Sequence, residues 1–260
     1  MTSTPWTFAA PGPSIGTAGT LTLLDGDTFA VSATNGDIRM DQPEGMFVLD
    51  TRVLSTLMVE IDDQPIEAVS PVSRGPFAMS IVGRPHTAHE PDPKMAILRH
   101  RHVGRGLRED VELRNHSTDP LECVLSITVD ADFASLFDIK AGAHEPDISA
   151  VVIEDSDLQL VPTNLDAARL STHIAFTPRP DTRIGHRSSW HIQLSPGEAT
   201  TVCTEVSVEV DGRREHPTSR CGDHIADTPQ VQRMQQWQET TVRVESSDDR
   251  LELAARQSLE

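Results

Sequence analysis

Apolar and polar positions alternate along the chain in short runs, and each run stops at turn chemistry. Leu21 and Leu23 precede Asp25-Gly26, and Phe29 and Val31 precede Asn35-Gly36. Asp-Gly and Asn-Gly reach positive φ cheaply, as tight hairpins require. Leu57, Val59 and Ile61 lead into a turn at Asp62-Asp63-Gln64-Pro65, and Phe77, Met79 and Ile81 alternate next. "MAILRHRHV" alternates Ile97 with Arg99, Arg101 and Val103, and Gly104-Arg105-Gly106 turns the chain into Leu107, Glu109, Val111 and Leu113. "NHSTDP" turns it again into Leu121, Cys123, Leu125, Ile127 and Val129. The second half continues with "DLQLV", "STHIAFTP", "SSWHIQL", the turn "SPGEA" and then Val202, Thr204, Val206 and Val208. Many short strands with turns every ~8–12 residues predict an antiparallel sandwich or barrel. The expected fold class is all-β, a large antiparallel β-sandwich with a C-terminal helical segment.

The period changes near the end. In "TPQVQRMQQWQET", Val231, Met234 and Trp237 recur every third residue, with Thr228 as cap and Pro229 at the first helical position, which predicts a helix. "SSDDRLELAARQSLE" restarts one: Ser247 or Asp248 caps it, and Leu251, Ala254, Ala255 and Leu259 share a face. That helix is still amphipathic at Glu260, so a larger protein is expected to continue beyond it. Residues 1–19, rich in Pro, Gly, Ser and Thr, read as a loosely held arm. The expected organisation is an arm (1–19), a sandwich (20–225) and a helical linker (226–260).

Composition narrows the function classes. A chain of 260 residues can bury roughly 70–75% of its unfolded surface and needs no staples. Cys123, Cys203 and Cys221 make no disulfide framework. Their odd number and wide spacing fit a reducing compartment, with Cys123 and Cys203 packed in the core. The net charge of −18 argues against nucleic-acid and anionic-membrane partners, because basic surface is what releases counterions. The N-terminus lacks a basic start with a long apolar stretch, so it is not read as a secretory signal. No apolar run approaches ~18 residues. A cytoplasmic protein with no cofactor is expected.

The candidate chemistry is sparse. His86/His89 and His100/His102 are the close histidine pairs. No Cys or carboxylate joins them at ligand spacing, so they read as solvent-facing or structural. There is no Gly-x-Ser-x-Gly turn and no Gly-rich phosphate loop. Arg99 and Arg101 read as one solvated strand face. The stretch "VDADFASLFDIK" (129–140) breaks the alternation with Asp130, Asp132 and Asp138 around Phe133 and Phe137. It could be a metal loop, a carboxylate pair, a sugar platform or a structural corner. An EF-hand count from Asp130 fails, placing Ser135 at position six and Ala141 at position twelve. Phe133 and Phe137 are four apart and share a face if "DFASLF" makes a helical turn capped by Asp132.

Three segments carry a resemblance: "EGMFVLDTRVLSTLMVEIDDQP" (44–65), "REDVELRNHSTDPLECVLSITVDADFASLFDIK" (108–140) and "LSPGEATTV" (194–202). They resemble the N-terminal β-sandwich domain of bacterial glycogen debranching enzymes, the amylo-α-1,6-glucosidase-like group. The markers are Asp50-Thr51-Arg52 with Leu54-Ser55, and Asp132 to Ile139, where Ser135 replaces an acidic residue and Asp138 a Glu. The resemblance covers roughly residues 20–210. It implies an accessory domain of a glycoside hydrolase. The partners it implies are the enzyme's own C-terminal catalytic domain, an α/α toroid, and an α-glucan or related glucoside. The catalytic acid and base then lie outside this chain, which alone is expected not to hydrolyse glucosides. Asp50, Arg52, Asp130, Asp132, Phe133, Phe137 and Asp138 become candidate substrate or interdomain contacts. Arg52 is expected to pair with a carboxylate of the 130–140 stretch, and Asp130 or Asp138 to accept sugar hydroxyls. The alternative readings are an autonomous glucan-binding module and a purely structural sandwich. The chain has no Tyr and three Trp, Trp6, Trp190 and Trp237, which counts against autonomous sugar binding.

Overall fold

A computed structural model describes residues 19–73, 75–86, 94–142, 149–154, 157–163, 170–241, 250, 251 and 254. Four strands, β1 (Thr20–Asp25), β2 (Thr28–Ala33), β3 (Gly45–Val48) and β4 (Thr51–Leu54), form one antiparallel sheet in chain order. The second sheet is 13-stranded. It comprises β5 (Thr56–Ile61), β6 (Gln64–Ser73), β7 (Ala78–Pro85), β8 (Met95–Val103), β9 (Leu107–Asn115), β10 (Leu121–Asp130), β11 (Ala150–Glu154), β12 (Asp157–Val161), β13 (Leu170–Thr177), β14 (Thr182–Ile184), β15 (Arg187–Leu194), β16 (Ala199–Val210) and β17 (Arg213–Glu215). Its order is β11-β12-β13-β16-β9-β8-β7-β6-β5-β10-β15-β14, with β17 paired to β16. Two helices, α1 (Leu136–Ala141) and α2 (Pro229–Thr240), and a 3₁₀ turn at Ile225–Asp227 complete it.

One continuous core lies between the sheets, joining Leu21, Leu23, Met46 and Leu54 of the small sheet to Ile97, Val111, Leu125 and Val206 of the large one. Period-two strands turn one face into that core, and burying those faces against one another is the main source of stability. Antiparallel meanders follow from the turns. Gly26 (φ 64) closes β1–β2, and Asp62 and Asp63, both at positive φ, close β5–β6. The Asp62-Asp63 turn is therefore tighter than expected, with Gln64 and Pro65 already in β6. Gly104-Arg105-Gly106 turns β8 into β9. Asn115 is fully buried and fastens the next turn, donating to the carbonyls of Asp119 (2.8 Å) and Leu194 (3.1 Å).

The fold class and the α2 helix match the sequence reading; several details differ. Thr228 stands at the N-cap of α2, but its hydroxyl donates backward to Ile225 O (2.7 Å) and caps no helical N–H. Cys203 is not a plain core residue: it forms a disulfide with Cys221. Residues 1–18 of the arm, His89 and most of the segment after Thr241 lie outside the described residues. Among the described residues no helix is long and apolar enough to cross a membrane.

Candidate functional site

The two marker segments, some eighty residues apart in sequence, are neighbours in space. Strand β10 ends at Asp130, and the chain then runs beside β4. Asp130 O accepts from Ser55 N, Ala134 O from Arg52 N, and Asp50 O from Leu136 N, each at 2.8 Å. Thr51 and Ser135 form a β-bridge. Together they build a ridge of residues 49–52 and 133–138.

An ion pair locks its base. The Arg52 guanidinium is buried and donates Nε to Asp132 Oδ1 (3.0 Å), with Nη2 on Oδ2. Its Nη1 donates to the carbonyls of Gln42 (3.1 Å) and Glu44 (3.0 Å). This bidentate fork fills the guanidinium's donor set. Gly45 makes room for it, since a Cβ there would stand 2.5 Å from Arg52 Cδ. The expected Arg52–carboxylate pair is thus present, with Asp132 as partner. Asp132 is consequently not the helix cap. Ser135 caps α1, its Oγ accepting from Phe137 N (3.2 Å), and Gly142 in the left-handed region ends it.

Phe133 and Phe137 do not share a face. Phe133 precedes the helix in left-handed backbone (φ 52) and packs into the core, whereas Phe137 is 66% exposed. Asp138 is exposed beside it, and Asp50 is exposed on the β3–β4 turn. That turn places Leu49 (φ 48) and Asp50 (φ 61) in left-handed backbone, with Leu49 59% exposed. Short Asp side chains tolerate this region; bulky ones are outliers there. Leu49 and Phe133, two bulky residues with positive φ, both belong to the ridge.

Asp130 is not placed to accept sugar hydroxyls. Its carboxylate is buried and accepts from Ala131 N (2.8 Å), Ser149 N (3.1 Å) and Ser149 Oγ (2.6 Å), with His186 Nε2 at 3.3 Å. Ser149, His186 and Asp130 do not form a nucleophile relay, because the same imidazole nitrogen faces both oxygens. The surface-accessible candidates are therefore Asp50, Phe137 and Asp138, while Arg52, Asp130, Asp132 and Phe133 support them from beneath.

A second polar cluster lies in the core itself. Arg99 and Arg101 are buried, not solvated, and both face inward with Ile97 and Val103. Arg99 donates to Glu109 (2.6 Å) and Asp37 (2.5 Å), and Arg101 donates Nε to the other Glu109 oxygen (2.7 Å). Gly36 O accepts from both guanidinia. Gly36 must be glycine here, with φ +88 and a would-be Cβ 3.0 Å from Arg99 Cζ. Burial works against all these charges. Glu109 and Asp37 nonetheless hold the Arg99 pKa up and the two arginines hold Glu109 down, whereas burial first, and then the Arg99 charge, shift Arg101 down. Two cations face two carboxylates, so the cluster is neutral overall. Glu109 and Asp37 were not singled out in the sequence. The available signal was the shared parity of Glu109 with Leu107, Val111 and Leu113.

His100 and His102 are buried and structural; His100 Nδ1 bonds Ser80 Oγ (2.8 Å). Among the described residues, Asp110, Cys203 and Cys221 form the one group with metal-ligand proximity. Its sulfurs are bonded to each other, and Arg108 donates to both Asp110 oxygens. The sequence-level resemblance has an independent counterpart: the family described as the N-terminal domain of (some) glycogen debranching enzymes matches residues 23–205. No curated protein sequence matches the chain. Among solved structures, a chain provisionally assigned as a kojibiose phosphorylase from the human microbiome aligns with TM-score 0.44 and 8% identity, over 65% of this chain and 24% of its own. One provisionally assigned as an aldose 1-epimerase from Escherichia coli K12 aligns with TM-score 0.46 and 10% identity, over 74% and 99%.

Proposed function

Since the chain belongs to the family of N-terminal domains of some glycogen debranching enzymes, we propose that it is the accessory sandwich of a glycoside-acting enzyme and docks on that enzyme's catalytic domain through the 49–52/133–138 ridge. The supporting observation is the ridge itself: Leu49 and Phe133 are held in left-handed backbone, and Leu49 and Phe137 stand exposed on it. Strained residues persist only where their surroundings over-determine them, and they gather at functional sites. An exposed apolar crest on an ion-paired base loses little entropy when covered. On this reading the substrate is an α-glucan or related glucoside, bound where the ridge meets the catalytic domain. Asp138, exposed next to Phe137, faces the sugar and shapes one rim of the active site. The acid and base belong to the catalytic domain, so this chain alone releases no sugar. The reading places the enzyme in the cytoplasm.

The test uses the enzyme that carries this domain. Phe137→Ser and Asp138→Ala are expected to lower kcat/KM about tenfold while the unfolding midpoint stays within about 1 °C. Unchanged kcat/KM in both variants would remove the ridge from catalysis. Autonomous glucan binding is the competing reading. Trp190 gives it no support, being buried with its indole N–H on Pro178 O (3.1 Å). Titration of this chain with maltooligosaccharides should show no binding; saturable binding would favour the competitor.

A further inference from the structure

Residues 216–228 form a strap across the face of the large sheet opposite the core. Arg108 Nη1 donates to Ser219 Oγ and to Asp223 O, both at 2.9 Å. Glu205 accepts from Arg220 Nε (2.7 Å) and Cys221 N (2.5 Å). Gly104 O accepts from both the amide and the hydroxyl of Thr218 (2.8 Å each), and Ser207 bonds His216 (2.9 Å). The strap buries little apolar mass: Pro217 against Gly106, and Ile225, which joins Phe77, Ala78 and Val231 in a small cluster apart from the main core. Its other ties are polar, and individually such ties contribute little net stability. The covalent one is Cys203–Cys221, closing a span of 18 residues, and it is the largest single restraint on the segment.

We propose that this disulfide is a thiol-exchangeable fastener, opened by a small thiol of the glutathione class, and that opening it releases the strap and the first turn of α2 from the sheet. The two residues differ in exposure: Cys203 is buried on a central strand, whereas Cys221 is half-buried on the strap. The incoming thiolate attacks Cys221 Sγ. The Cys203–Cys221 bond breaks, its electron pair stays on Cys203, and that thiolate takes a proton from water. A second thiol displaces Cys221 and leaves as the external disulfide. The protein gains two electrons and two protons, and two small thiols become one disulfide. Cys123 does not interfere, because it is buried in the core cluster and burial pushes its pKa up to about 11. The strap leads directly into α2, so the redox state of one bond sets how firmly that helix is seated.

The experiment equilibrates the native protein in glutathione buffers of graded ratio, traps thiols by alkylation, and follows amide exchange by mass spectrometry. In reducing buffers Cys203 and Cys221 should both become labelled while Cys123 stays unlabelled. Amides of 216–228 should exchange about tenfold faster or more, with β10 unchanged. Cys221→Ser should reproduce the fast exchange without any thiol. If that variant does not fold, the wild-type series decides alone. Reduction that requires denaturant, or reduction that leaves exchange of the strap unchanged, overturns the proposal.

Discussion

The ring of His102 is fully buried, edge-on to Phe77 (5.6 Å), and neither ring nitrogen has a hydrogen-bond partner among the described residues. Burial first, and then the nearby Arg108 charge, push its pKa down to about 4. Above pH 6.5 the imidazole is neutral in both folded and unfolded chains, so it contributes no pH dependence. Between pH 6.5 and about 4 the unfolded chain binds a proton that the folded one refuses, so stability falls by up to roughly 3 kcal/mol. His102→Leu should flatten that part of the stability–pH curve with little loss at pH 8, because no hydrogen bond is removed. Equal acid sensitivity in variant and wild type, followed by urea unfolding, would assign the effect elsewhere. Glu109 presents the opposite case. Glu109→Ala takes the carboxylate from the buried Arg101 and leaves Arg99 with Asp37 alone, and should cost about 3–5 kcal/mol in the same urea assay; a cost below ~1 kcal/mol would mean that water reaches the cluster. His102 lies on the face of β8 opposite Ile97 and Val103, beside Phe77, whereas the Glu109 effect comes from residues whose inward parity was visible in the sequence. Arg99 and Arg101 alternate with Ile97 and Val103, and Glu109 alternates with apolar neighbours in the same way. Charge led the reading toward solvent, where strand charges ordinarily go. What reversed it is the neutrality of the cluster, and Asp37, its second carboxylate, comes from a loop some sixty residues away that local pattern cannot place.

Strands were the legible elements, because period-two alternation and Asp-Gly, Gly-Arg-Gly and Pro-Gly turns are local signals. Residues 130–142 were not, because their conformation is imposed from outside. Asp132 has the side chain and position of a helix cap, yet Arg52 claims it across 80 residues. The helix then starts three residues later, at the next residue able to cap, Ser135. The same displacement separates Phe133 from Phe137, so two residues expected side by side divide into a core anchor and an exposed crest. If the ion pair sets the ridge, Arg52→Ala should take the guanidinium from the buried Asp132 carboxylate and lower stability by about 3–5 kcal/mol. Ser135→Ala should cost only about 1 kcal/mol, the worth of a helix cap. Denaturation of the two variants in urea checks the order. A reversal would mean that α1 holds the ridge and the ion pair merely accompanies it.

At the scale of the whole molecule the distribution of charge matters more than any one pair. The chain carries 40 acidic and 22 basic residues, a net charge of −18. The pairs inside, Arg99, Arg101, Glu109 and Asp37 among them, cancel one another. Arg52 and Asp132 likewise cancel. The acidic excess therefore lies toward the surface, where exposed pairs such as Arg84–Glu67 (2.9 Å) each contribute little. Self-repulsion of that excess destabilises the compact state and is screened by salt, whereas the buried pairs are screened much less. Raising NaCl from ~0.02 M to ~0.5 M should thus raise the thermal midpoint by about 3–5 °C. It should do so equally in Phe137→Ser and in wild type, since the ridge crest carries no part of the effect. A midpoint that falls with salt would show that surface ion pairs, rather than net repulsion, govern stability. The same excess bears on the docking reading, because a catalytic domain that covers the ridge must bring its own positive groups near Asp50 and Asp138 or leave their carboxylates solvated at the rim. Association through the ridge should then weaken as salt rises even while each partner's own fold gains stability, and following both quantities across one salt series separates docking from folding.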